Sequence, residues 1–176
     1  MPKRTPAAES GLARVPIATQ LEMLGEVALA MALGALIGLE RELAHKAAGL
    51  RTHMLVSGAA AMLVGLVEAL LHRFLLPAIS PLVRADPVPV ITAVVMAVGF
   101  LGAGTIIRRP DGEHVEGLTT AAAMLFAAAV GSAVGLRQFV LAIGAAVLAV
   151  ATLRGVMLLE NRLRRRSPDS SRVLSG

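Results

Sequence analysis

Gly34-Ala-Leu-Ile-Gly-Leu-Glu-Arg-Glu-Leu-Ala-His-Lys-Ala-Ala-Gly-Leu-Arg-Thr-His-Met-Leu-Val-Ser57 sets a dense charged cluster directly between two apolar runs, each long enough to enter a bilayer. Charge held against hydrocarbon is expensive, so a chain that concentrates it there is expected to use it. Upstream, Leu21 to Leu39 is interrupted only by Glu22 and Glu26, and downstream Met54 to Leu71 carries only Glu68. Val88 to Ile107 then gives twenty residues without a charge, about 30 Å as a helix and enough to cross a bilayer core. Leu118 to Leu136 is likewise uncharged, and Phe139 to Leu159 is broken only by Arg154, whose head is expected to snorkel to the interface. The pattern predicts an all-α polytopic membrane protein, a bundle of about five transmembrane helices over 21–39, 54–71, 88–107, 118–136 and 139–159. A polar segment, 1–20, precedes the 21–160 membrane domain, and a basic tail, 161–176, is expected to be disordered.

Composition points the same way. The 176 residues are 56% hydrophobic and 16% charged, with a mean hydropathy of +0.73. One soluble core of this size cannot hide that much apolar surface, so the lipid bilayer must solvate part of it. The net charge of +5 does not indicate nucleic acid, because the basic residues sit at the ends of apolar runs instead of forming one face. With no cysteine there is no disulfide, thiolate site or cysteine nucleophile. The four histidines lack zinc-site spacing. No apolar stretch precedes Leu21, so the first helix is expected to act as an uncleaved signal. Tryptophan and tyrosine are absent, which leaves Phe74, Phe139 and the flanking arginines to anchor the interfaces.

Lysine and arginine asymmetry predicts orientation. With five spans, Lys3, Arg4, Arg14, Arg73, Arg84 and Arg137 fall on one side. Eleven basic residues, among them Arg41, Lys46, Arg51, Arg108, Arg154 and Arg162, fall on the other. The N-terminus is therefore expected outside and the C-terminus in the cytoplasm of a bacterial inner membrane. The run from Arg162 to Arg166 either binds anionic headgroups, at about 1 kcal/mol per basic residue, or simply acts as a positive-inside stop. The stop is the simpler expectation. Small residues recur every four positions, at Ala30, Gly34 and Gly38 and again at Ala127, Gly131 and Gly135. This spacing lets backbones approach, and packing within the chain is favoured over a homo-oligomer interface.

Three constellations carry possible chemistry. In the first, Glu40, Arg41 and Glu42 end one helix, Lys46 and Gly49 lie in the connection, and Arg51, Thr52 and His53 open the next. Glu40 and Arg51 are expected to pair across the two antiparallel helices. The cluster is either a register device or a patch for a cation or a protein partner. The second is Gly99-Phe-Leu-Gly-Ala-Gly104 with Thr105, where Gly99, Gly102 and Gly104 mark a helix crossing or a broken helix that frees carbonyls for an ion. The crossing is favoured. The third is Gly117-Leu-Thr-Thr120, where Thr119 and Thr120 are expected to cap a helix. Asp86 before Pro87 is either an N-cap or, with Glu22, Glu26 and Glu68, part of an acidic outer mouth that would attract Mg²⁺. No cofactor is otherwise implied. His53 and Ser57 share one helix face, and a serine hydrolase needs its base from another element. Catalysis is not expected.

The clusters together resemble the MgtC/SapB family of bacterial inner-membrane proteins. The resemblance rests on Gly34-Ala-Leu-Ile-Gly-Leu-Glu-Arg-Glu42, Lys46, Ala48-Gly-Leu-Arg-Thr-His53, Leu55-Val-Ser57, Asp86-Pro87, Gly99-Phe-Leu-Gly-Ala-Gly104 and Gly117-Leu-Thr-Thr-Ala-Ala122. It departs at Val88-Pro89, where the family usually places an arginine soon after Asp-Pro. It departs again at Ala97, Glu116 and Leu125, where glycine, arginine and tryptophan are typical. Longer members add an ACT-like cytoplasmic domain, for which the residues from Asn161 are too few. The resemblance implies a role in growth under magnesium limitation, with a regulator of other membrane machinery as the expected activity and a Mg²⁺ channel or carrier as the alternative. A membrane-protein partner is implied.

Overall fold

The computed structural model describes residues 16–74, 88–108 and 115–166. Five helices carry the chain there: α1 (Ile17–Leu43), α2 (Leu50–Phe74), α3 (Val88–Ala103), α4 (Leu118–Gly135) and α5 (Phe139–Arg166). Between α3 and α4 two short strands, β1 (Ile107–Arg108) and β2 (Val115–Glu116), pair antiparallel with Ile107 opposite Glu116. Helices α1, α2, α4 and α5 are long and apolar enough to cross a membrane, and α3 is a shorter apolar helix. The all-α membrane bundle read from the sequence is the observed fold. The N-terminal segment to residue 15, the Asp86-Pro87 pair and residues 167–176 lie outside the described residues.

α1 and α2 each run three or four residues past the expected bounds at both ends, and α3 and α5 also end elsewhere than expected. α3 stops at Ala103 instead of Ile107, which makes it about 24 Å long. There the Thr105 amide donates to the Gly102 carbonyl at 2.9 Å, and the Thr105 hydroxyl donates to the same oxygen at 2.8 Å. Closely spaced glycines weaken the helix, and a threonine that claims a backbone carbonyl helps end it. At the other end of the chain α5 continues to Arg166, so residues 161–166 are helical where a disordered tail was expected. Leucine and arginine are good helix formers, and they outweigh the polarity of that stretch.

Two helices close in the same way, with a residue other than glycine in the left-handed region. At the end of α1, His45 has φ 53°; its amide donates to Glu42 O, and the Lys46 amide donates to Arg41 O, both at 3.0 Å. At the end of α4, Arg137 has φ 59°, with Arg137 donating to Val134 O and Gln138 to Ala133 O, both at 2.8 Å. Each is a Schellman closure, a geometry that usually recruits glycine.

α2 lies between α1 and α4, pressed against both through glycines. A Cβ on Gly34 would meet the Ser57 Cβ at 2.8 Å, and one on Gly38 would meet the Leu50 Cα at 2.8 Å. On the opposite side, a Cβ on Gly131 would collide with the Ser57 carbonyl, and one on Gly135 would lie 2.7 Å from the Ala61 carbonyl. Both small-residue stripes are therefore spent on packing inside the chain, as the four-residue spacing suggested. Ala30 and Ile37, Ala61, and Ala127 and Val134 fill the seam, joined by Ala142 and Ala146 of α5. Beyond those two alanines α5 turns Val140, Leu141, Val147 and Leu148 outward, a surface suited to lipid. α3 meets α4 where Gly102 approaches Ala121, with 3.1 Å between a built Cβ and the alanine Cβ. Within the glycine-rich segment, Gly102 makes this close approach.

Candidate functional site

The end of α1, the start of α2 and the start of α4 gather at one end of the bundle. Glu40 and Arg41 are both buried there, 3% and 4% exposed. They pair with each other: Arg41 Nε donates to Glu40 Oε2 at 2.7 Å, and Nη2 donates to Oε1 at 3.1 Å. The pairing expected between Glu40 and Arg51 does not occur. Arg51 is exposed on the second residue of α2, and the adjacent guanidinium occupies both carboxylate oxygens. A two-point arginine–carboxylate contact is among the stronger polar interactions available to a buried charge.

His53 and Ser57 lie one turn apart on α2, fully buried against the α1 glycines. His53 Nδ1 is 2.8 Å from the Gly49 carbonyl; a carbonyl only accepts, so Nδ1 carries the proton and Nε2 is left as the acceptor in the neutral ring. His53 Nε2, Ser57 Oγ and Arg41 Nη1 are buried without a hydrogen-bond partner. Unsatisfied buried polar atoms are uncommon. Here an acceptor, a donor and a hydroxyl are left over in one region of the core, the set that small polar guests such as water satisfy.

Glu42 has a structural task. Its Oε2 accepts from the Leu50 amide at 3.0 Å, so the end of α1 caps the start of α2 across the connecting loop. The approach is possible because Gly49 offers no Cβ; one built there would collide with that carboxylate oxygen. Glu42→Ala should remove about 1 kcal/mol, read as a fall of roughly 2–4 °C in apparent melting temperature in detergent.

Lys46 lies with Thr119 and Thr120 along a cleft of 480 Å³ between the α1–α2 loop and the β1–β2 pair, which His45 and Thr105 also line. The threonines do not cap α4 as expected. Gly117 occupies the N-cap with φ 95° and no side-chain cap bond forms. A Cβ on Gly117 would strike the Thr105 carbonyl, so the end of α3 and the start of α4 can touch only through a glycine. Thr52 is half-buried, and Gly99 faces open space. Arg154 is level with the end of α1, beside Glu40, Leu43 and Ala44 around a small cavity of 170 Å³.

At the opposite end the acidic mouth is not left unbalanced. Arg137 Nε is 3.0 Å from Glu26 Oε1, and its Nη2 is 3.7 Å from Glu22 Oε2. Among the described residues no three His, Cys, Asp or Glu side chains converge as a metal site requires. Glu68 is half-buried on α2, and Asp86 lies outside the described residues. Sequence reasoning missed Arg137 as the partner of the outer glutamates, and it missed His45 and Gly117 as left-handed positions. Gly117 directly before a threonine pair was the one signal available.

The fold and this charged end define a class: a multi-pass membrane protein whose charged helix ends are buried in a glycine-packed bundle. The chain belongs to the MgtC family, whose family model matches residues 27–162. It is 39% identical over 121 residues to Protein MgtC of Salmonella typhimurium strain LT2, covering 68% of this chain and 46% of that protein. It is 42% identical over 104 residues to Protein MgtC of Brucella abortus strain 2308, covering 58% of this chain and 37% of that one. An uncharacterized protein of Haemophilus influenzae is 32% identical over 148 residues, 84% of this chain and 60% of its own length. The chain thus spans between about a third and three-fifths of these relatives. No solved structure gives a significant match.

Proposed function

We propose that this chain is a bacterial inner-membrane protein that serves adaptation to scarce magnesium. It does so by regulating other membrane machinery through protein contacts made by its helices and by the exposed charges around Lys46 and Arg51. In this reading the N-terminus is outside, the C-terminus and the Glu40–His53 region are cytoplasmic, and no catalysis is involved. Family membership supports the link to magnesium. The observation that carries the regulatory reading is the closed α1–α2–α4 seam: glycines at 34, 38, 131 and 135 hold backbone against backbone. A carrier's midplane site would have to open there. Two carboxylates that could hold an ion are also engaged, Glu40 by Arg41 and Glu26 by Arg137.

The test is reconstitution. Protein inserted in liposomes should give no Mg²⁺ flux above empty liposomes. Arg51→Ala should abolish co-purification of the membrane partner while insertion is retained, because Arg51 is exposed and its removal leaves no buried charge. Flux that disappears in Glu40→Gln would establish the carrier reading instead.

A further inference from the structure

α5 carries a single charge inside its apolar span, and that charge stands on the outside of the bundle. The helix has 28 residues, about 42 Å, against about 30 Å for the hydrocarbon of a bilayer. From Phe139 to Leu159 it is apolar enough to cross, and only Arg154 breaks that stretch. Arg154 is exposed, as are the five residues that follow it. A cation among lipid-facing apolar residues is costly unless an anion meets it. The protein does not supply one. Glu40 is the acid beside Arg154, across a cavity of 170 Å³, but Arg41 holds both its oxygens, at 2.7 and 3.1 Å. Glu160, the next acid along α5, falls about 120° round the helix. Among the described residues Arg154 enters no ion pair and no hydrogen bond.

The surroundings of the guanidinium are apolar. Leu43 and Ala44 at the end of α1, with Met157 and Leu158 on the next turn of α5, line the same cavity. Leu43 is 63% exposed and Leu158 60%, so the recess is bordered by side chains that face lipid. It forms because α1 ends at Leu43 while α5 runs on to Arg166. A guanidinium fork matches a phosphate, and the leucines match an acyl chain. A small soluble anion would satisfy the first and leave the second uncovered. A zwitterionic headgroup would bring an ammonium for which the recess has no free carboxylate, since Glu40 is already engaged. An anionic headgroup leaves no charge over.

We propose that Arg154, with Leu43, Met157 and Leu158, forms a binding site for an anionic phospholipid. The phosphate sits on the guanidinium and an acyl chain lies along the groove between α1 and α5. The cavity holds part of such a lipid, and the rest spreads over the exposed apolar face of α5. Arg162, exposed two turns further along, attracts anionic surfaces in a general way but does not line this groove. The proposal depends neither on the regulatory reading nor on which end of the bundle is cytoplasmic.

The test uses the full chain, reconstituted in nanodiscs of equal parts phosphatidylglycerol and phosphatidylcholine and then released into mild detergent. Native mass spectrometry reads which lipid stays bound. The wild-type chain should retain phosphatidylglycerol at least tenfold over phosphatidylcholine. Arg154→Gln should lower that retention about tenfold, and Arg162→Gln should leave it unchanged. Leu158→Asn, which keeps the guanidinium and makes the groove polar, should weaken retention as well. Arg154 and Leu158 are both exposed, so neither variant leaves a buried charge or a cavity in the core, and monodisperse elution verifies that each folds. Equal retention of the two lipids by the wild-type chain overturns the proposal. Retention that survives both Arg154→Gln and Leu158→Asn does the same, and so does a loss in Arg162→Gln as large as that in Arg154→Gln, which would mark general surface attraction.

Discussion

Gly131→Ala is expected to destabilise this protein strongly, at the centre of the α2–α4 seam. The added Cβ would overlap the Ser57 carbonyl oxygen and sit 2.7 Å from its carbon and 2.9 Å from its Cα. These are backbone atoms of a buried helix, not the tip of a side chain that can swing aside. α4 would have to move away from α2, opening the seam filled by Ala127, Ala61 and Val134. Overpacking a well-filled core costs about 1–3 kcal/mol or more, and the clash here is at the severe end. At roughly 2–4 °C per kcal/mol for a chain of this size, the apparent melting temperature in detergent should fall by about 6 °C or more. Gly99→Ala is the control: the same methyl on α3 meets nothing within 4 Å. Relieved of glycine's backbone entropy, that variant should hold its melting temperature or gain up to about 1 kcal/mol. Equal responses from the two variants would refute the view that glycine serves close approach at one site and nothing at the other.

The contrast between these two glycines also marks what could be read before the structure. Membrane spans were legible because lipid demands uninterrupted apolar runs, and Leu118 to Leu136 admits no other reading. The stripes at Ala30, Gly34, Gly38 and Ala127, Gly131, Gly135 were legible because only small residues let helices touch in a solvent as apolar as leucine. The partner of Glu40 was not. Two antiparallel neighbouring helices suggested a pairing across the loop, Glu40 with Arg51, instead of one between adjacent residues. At the end of a helix, though, both side chains can turn inward, and burial of one charge draws in its nearest counter-ion. Arg137 was invisible as the partner of Glu26 because nothing in a linear chain announces that the start of α1 meets the end of α4. The start of α4 was misread because Thr119 and Thr120 have capping chemistry, while the actual constraint is steric, the Thr105 carbonyl against Gly117.

Arg41→Met is the second substitution with a large expected effect, and its rescue is the sharper test. Methionine fills much of the volume of the arginine stem but removes both donors to Glu40. A carboxylate 3% exposed would then be left without its cation. Breaking one side of a buried pair typically costs about 3–5 kcal/mol, because the remaining charge is desolvated and uncompensated. The folded fraction extracted in detergent should fall sharply. The same reasoning predicts recovery when the charge is removed as well. Glu40→Gln combined with Arg41→Met leaves a neutral amide and a thioether, and replacing a buried ion pair with uncharged residues is often neutral or stabilising. The double variant should therefore be markedly more stable than Arg41→Met alone. It would also separate stability from function: a double variant that folds but no longer co-purifies its partner would show that the buried pair shapes the displayed surface around Lys46 and Arg51. If the double variant is as unstable as the single one, the arginine must matter through Nη1, the atom left without a partner in the core. The weight would then shift from the Glu40 contact to the polar atoms of Arg41, His53 and Ser57 that have no hydrogen-bond partner.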